Sequence, residues 1–206
     1  MRWAIRDGQR VDPSPGVDDA ACPLCSTPVV AKCGNVVSHH WAHRARPDCD
    51  PWWEPITEWH RAWQDEVPPC AQEVRVGNHR ADIVTRSGWV VEVQHSSIST
   101  VDIMDRESHY GARLVWLFDA RGAYERERLD LRHRSREGRP YVTFRWKHPR
   151  TSLAHCQRPV YLDLDGWSLL RLHAIHVSGK CGGWGQMVTR DAFAEWMHAP
   201  TTGGSP

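Results

Sequence analysis

Two acidic residues stand where short strands would want apolar ones, and there this chain could first do chemistry. The stretch 79–97 reads as two strands rich in β-branched residues, joined at Arg86-Ser87-Gly88, with Asp82 on the first and Glu92 on the second. Glu92 and Gln94 share one face of their strand, while Val91 and Val93 share the other. A three-residue loop sets Asp82 opposite Glu92, with Cβ atoms about 4.5–5.5 Å apart. Like charges so placed destabilise a sheet, and a divalent cation between them removes the repulsion. A two-residue loop would instead put Asp82 opposite Val93 and on the wrong face, so the metal pair requires an odd loop or a bulge. Solvated acids on an edge strand are the competing reading of the same letters.

A second constellation precedes it. Cys22-Pro23-Leu24-Cys25 is followed by a small hairpin turning at Gly34-Asn35 and then by His39-His40-Trp41-Ala42-His43. A CxxC knuckle, a hairpin and a histidine pair form the layout of a tetrahedral zinc site, and 14 residues separate Cys25 from His40. Either His39 or His40 can join His43, and Cys33 and Cys49 are spare ligands. With four protein ligands such a zinc is structural, since no position is left for water. A redox role for Cys22 and Cys25 would need a βαβ pattern around the CxxC, and there is none.

The totals bound the rest. The chain has 206 residues and a net charge of +1, so nucleic-acid binding would come from local basic patches and not from the overall field. Mean hydropathy is −0.59 and no apolar run approaches a membrane span. The start lacks the apolar core of a secretory signal, and seven cysteines without one read as thiols or metal ligands, which makes the expected location cytoplasmic. The twelve tryptophans, mostly scattered, read as packing residues, with base stacking the lesser option.

The elements that must position these residues follow from periodicity. Residues 44–51 read as a linker. A helix is expected over 52–66, stopped by Pro68-Pro69, with Ile56, Trp59, Trp63 and Val67 on its buried face. His60 falls beside that stripe, whereas Glu58 lies about 200° away, so the two cannot aim into one site from a regular helix. A strand over 71–76 turns at Gly77-Asn78 into the opening hairpin. Ser99 caps a helix running to Tyr110 and ending at Gly111, with Arg106 and Tyr110 on one face. Residues 114–118 are a continuous apolar run, the pattern of a strand buried on both faces. The arginine-rich stretch 121–139 reads as a mixed-charge surface, or alternatively as a phosphate-contacting arm. Strands over 141–146, 160–164 and 168–172, a glycine-rich turn over 179–185, a helix over 190–198 and a frayed tail complete the chain.

Taken together, several pieces resemble the competence protein CoiA-like family. They are Cys22-Pro23-Leu24-Cys25, His40-Trp41-Ala42-His43, Glu58-Trp59-His60, Arg80-Ala81-Asp82-Ile83, Val91-Glu92-Val93-Gln94 with Ser96 or Ser97 following, and Arg106 to Tyr110 ahead of 114–117. That family resembles PD-(D/E)xK nucleases carrying an added zinc-ribbon-like element. The resemblance implies an α/β fold with a restriction-endonuclease-like mixed sheet flanked by helices, a small N-terminal zinc-binding subdomain (1–50), a nuclease core (51–120) and a β-rich C-terminal extension (121–206). It implies Mg²⁺ or Mn²⁺ on Asp82 and Glu92, with His60, or Glu58, in the helical ligand position, and zinc on Cys22, Cys25, His40 and His43. Gln94 stands where the wider superfamily usually has Lys, and Gln64 where relatives often carry Lys. A glutamine orients water by hydrogen bonding but supplies no positive charge. Ser96, Ser97, Arg106 and Tyr110 would contact the substrate.

The expected function is metal-dependent cleavage of DNA, single-stranded or branched, in uptake, recombination or repair. The rival is a zinc-containing accessory protein that binds DNA on a degenerate nuclease core without cutting it.

Overall fold

The computed structural model describes residues 1–35, 38–45, 49–52, 56–201 and 204. The architecture is mixed α/β, and the chain divides into two compact units, Met1–Val84 and Thr85–Pro206. No helix among the described residues is long and apolar enough to cross a membrane.

In the first unit, β1 (Ala4–Arg6), β2 (Gln9–Val11), β3 (Ala20–Ala21), β4 (Pro28–Lys32) and β5 (His40–His43) form an antiparallel sheet in the order β2-β1-β3-β4-β5. Its core is Ala4, Ala20, Cys22, Val29 and Trp41, too few apolar side chains to hold such an element alone. The strand opposite β4 is β5, with Val29 facing His43 and Lys32 facing His40. The second arm of the expected Gly34-Asn35 hairpin, Val36 and Val37, lies outside the described residues.

Helix α1 (Glu58–Gln64) is shorter than the periodicity predicts. Thr57 is extended and its hydroxyl accepts the His60 N–H at 3.2 Å, which fixes the start. Trp53, Glu54 and Pro55, in the expected first turn, lie outside the described residues. Trp59, His60, Trp63 and Gln64 are buried, as is Val67 beyond the helix. Strands β6 (Gln72–Val76) and β7 (His79–Val84) then pair across the Gly77-Asn78 turn, with Val76 opposite His79.

Two buried carboxylates tie the N-terminal sheet to this hairpin. Glu73 accepts the N–H groups of Arg2 at 2.8 Å and Trp3 at 3.1 Å. Burial opposes its charge, but the Arg80 guanidinium, the chain's amino terminus and those two N–H groups hold its carboxyl below the usual range. Asp50 accepts the Arg80 N–H at 2.8 Å and lies 2.9 Å from His79 Nδ1. The stretch read as a linker thus carries an anchoring acid, because a buried carboxylate is retained only where donors surround it.

The second unit holds β8 (Val90–Gln94), β9 (Leu114–Asp119), β10 (Leu129–Arg136), β11 (Arg139–Trp146), β12 (Val160–Asp163), β13 (Ser168–His176) and β14 (Gly182–Thr189), in the order β10-β11-β14-β13-β12-β9-β8. The sheet is mixed: β8, β9 and β12 run parallel, and the strands from β12 outward to β10 are antiparallel. Helix α2 (Thr100–Tyr110) makes the crossover from β8 to β9. Ser99 caps it by accepting the Asp102 N–H at 3.0 Å, and Gly111 ends it at φ +69°. The apolar run of β9 is fully buried, as expected of a central strand.

The arginine-rich stretch, read as a mixed-charge surface, forms α3 (Arg121–Glu125) and β10, whose buried Leu129 and half-buried Leu131 alternate with exposed charges. One expectation fails here. The glycine-rich stretch is mostly the strand β14 and not a turn. A Cβ at Gly182, Gly183 or Gly185 would fall on the carbonyl oxygen of Phe144, Ala174 or Arg171, so the neighbouring strands require bare backbone there. Helix α4 (Arg190–His198) then follows, with Thr189 as its cap.

Candidate metal centre and carboxylate sites

The N-terminal sheet gathers Cys22, Cys25, His43 and Cys49, with all four ligand atoms within 4.8 Å of one another. Cys22 Sγ and Cys49 Sγ are 3.8 Å apart, and Cys25 Sγ lies 3.4 Å from His43 Nε2. A tetrahedron with metal–sulfur bonds of about 2.3 Å has edges of about 3.8 Å, so the donors fit zinc, whereas a disulfide would need about 2.05 Å. Burial raises the Cys25 thiol, but the Thr27 hydroxyl and N–H, with Cys49 and His43, bring it down to about 6. Burial and the neighbouring Cys25 and Cys22 sulfurs push Cys49 up to about 12. Crowded thiols that cannot all ionise together are the electrostatic signature of a place for a cation.

This ligand set corrects one member of the expected four: Cys49 takes the place of His40. Strand parity gives the reason. Trp41 and His43 project from one face of β5 and His40 from the other, where its Nδ1 lies 2.9 Å from the Ser38 carbonyl oxygen. No regular strand could present both His40 and His43 to one ion. Cys49 was legible only as a spare cysteine in an apparent linker.

In the same unit, His60 Nε2 lies 3.2 Å from Asp82 Oδ1. Ala81 and Ile83 are buried on one side of β7, which leaves Asp82 half-buried on the other. Gln64, one turn after His60, points its amide nitrogen at the Asp82 carbonyl oxygen from 3.5 Å. Glu58 is exposed in the first turn of α1, away from this contact. The structure thus brings His60 and Gln64, but not Glu58, to Asp82.

In the second unit, every residue of β8 is buried, Glu92 and Gln94 included. Arg106 reaches from α2 to place its Nη1 2.5 Å from Glu92 Oε2, and both side chains are buried. Arg106, expected on substrate, is engaged with the acid. Tyr110, one turn on, is half-buried. Gln94 donates to the Ser96 carbonyl oxygen at 3.3 Å, and Ser96 and Ser97 are exposed just beyond the strand. Thr85 and Trp89 close the preceding turn: the Thr85 N–H bonds the Trp89 carbonyl at 2.8 Å and the Gly88 N–H bonds the Thr85 carbonyl at 2.9 Å. The loop is therefore 86–88, odd in length, with Gly88 at φ +79°.

One residue missed by sequence reasoning is Arg150, whose guanidinium donates to the carbonyl oxygens of His95, Ser96 and Asp119. It holds the segment after β8 against the end of β9, a role that follows from no local motif.

Residues 20–51, the segment that contains Cys22, Cys25, His43 and Cys49, match the family model described as Competence protein CoiA, N-terminal domain. No curated protein and no solved structure matches the chain. The family match coincides with the cysteine and histidine cluster, so in this N-terminal segment the chain is similar to the competence protein CoiA family.

Proposed function

We propose that this protein is a metal-dependent DNA nuclease of the PD-(D/E)xK type, with a restriction-endonuclease-like core. The observation that carries the reading is the His60–Asp82 pair, which puts an imidazole and a carboxylate at ligand spacing on the helix and strand where such a site would hold them. The 86–88 turn is odd in length, as the sequence argument for Glu92 requires. Oxygen and imidazole donors suit Mg²⁺ or Mn²⁺.

A divalent cation on Asp82, Glu92 and His60 would activate water and neutralise charge on the scissile phosphate during in-line attack. The residues of the chain do the rest. The Gln94 amide orients the attacking water, and Arg106 supplies, beside Glu92, the positive charge that Gln94 and Gln64 lack. Ser96 and Ser97, exposed past β8, hold phosphate oxygens. The cysteine and histidine cluster is a structural zinc site that orders the N-terminal sheet.

One observation favours the rival, a DNA-binding accessory protein that does not cut: the Arg106–Glu92 ion pair already satisfies the charge a metal would meet. Single-stranded and branched DNA incubated with wild type and Mn²⁺ tests the two. Cleavage that disappears in Glu92→Ala, with an unchanged circular dichroism spectrum, supports the nuclease. Tight DNA binding without cleavage, across metals and substrates, supports the accessory protein.

A further inference from the structure

The distal sheet of the second unit carries a surface that the carboxylates do not use. On β11, Val142, Phe144 and Trp146 are buried, so Tyr141, Thr143 and Arg145 project from the opposite face. Directly paired residues share a face, which adds Arg134 opposite Tyr141, Arg136 opposite Arg139, and Trp184 opposite Thr143. A groove of about 830 Å³ runs along this side, lined among others by Arg136, Arg139, Arg145, Lys180, Tyr141 and Trp184. The acid among its lining residues, Glu137, lies 3.8 Å from the Arg136 guanidinium at a fully solvated position, where such a pair neutralises little.

Trp184 is the informative member. It is 43% exposed, yet its ring is held: the His173 imidazole stacks on it at 4.5 Å, and Tyr141 stands edge-on at 6.4 Å. An ordered, exposed indole within a field of arginines is the combination that binds unpaired bases, by stacking on the ring and phosphate contact alongside. A duplex hides its base faces, and an acidic peptide has no flat π-face to offer the indole. In the strand order, β14 is four places from β8, about 19 Å at the usual spacing, so this surface is separate from Glu92.

We infer that the β10–β11–β14 face binds an unpaired nucleic-acid strand, with a base stacked on Trp184 and phosphates held by Arg139, Arg145 and Lys180. The inference does not rest on cleavage.

The test is fluorescence anisotropy of a labelled oligothymidylate with the full chain, no divalent cation added, across a salt series. Trp184→Ala should weaken binding about tenfold with little change in salt slope, and Trp184→Phe should recover most of it. Arg139→Gln with Arg145→Gln should reduce the salt slope by about 1.4, two phosphate contacts at about 0.7 each. An oligouridylate in parallel distinguishes RNA from DNA, and tight binding of either supports the surface. Wild-type affinity in both sets of variants, or equal competition by polyglutamate, overturns the inference. A wild type that binds through this face but never cuts removes the nuclease and leaves the surface. A wild type that cuts while the groove variants bind normally does the reverse.

Discussion

His60 and Asp82 form a close pair whose two members differ in their access to water: the imidazole side chain is 4% exposed and the carboxylate 22%. The helix cap at Thr57 sets the imidazole's position, so the pair is ordered from the helix side and open from the strand side. In the nuclease reading, in which His60 is a ligand, His60→Ala should weaken Mn²⁺ binding at least as much as loss of an outer partner alone does, about 10–100-fold. Calorimetric titration with Mn²⁺ measures it. Affinity equal to wild type would remove His60 from the site.

Arg106 and Glu92 are both buried, so removing one partner strands the other charge. Arg106→Met should destabilise the fold by about 3–5 kcal/mol in urea denaturation. Arg106→Met combined with Glu92→Gln should recover much of that loss, because no charge is then left alone.

The zinc ligands divide by strand parity. Metal analysis of purified Cys49→Ser should show loss of zinc, as should Cys22→Ser, while His40→Ala keeps its full content. Zinc lost on changing His40 and kept on changing Cys49 would reverse the assignment.

Glu73 sets a pH dependence with a definite sign. Its folded pKa is held below the unfolded value of about 4.3, so its contribution is present above that value and lost as pH falls through the lower folded pKa. Denaturation midpoints measured from neutral pH downward should fall steeply in the acid range for wild type. Glu73→Gln should start lower and fall less steeply.

Much of the framework is legible in the residues because it is local. Ser99 and Gly111 bracket α2, the buried run marks β9, and Arg86-Ser87-Gly88 marks an odd turn. What was not legible depends on partners distant in sequence. Gly182 and Gly183 look like a turn until β11 and β13 close in on them, and Cys49 looks spare until its sulfur meets Cys22. The arginines of β10 look like a mixed-charge surface because Glu and Asp are interleaved with Arg through 121–139. Their neighbours across the sheet are Tyr141 and Arg139, and only strand pairing reveals that.

The grip of Asp50 and Glu73 on the β6–β7 hairpin bears on how this protein can be taken apart. A fragment beginning at residue 51, a natural place to cut by sequence, would leave Glu73 without the Arg2 and Trp3 amides and Arg80 without Asp50. The hairpin that presents Asp82 would then hold, on β6, a buried carboxylate short of donors. The N-terminal sheet is best regarded as the mould in which that strand is cast, and fragments meant to retain Asp82 in place should include it.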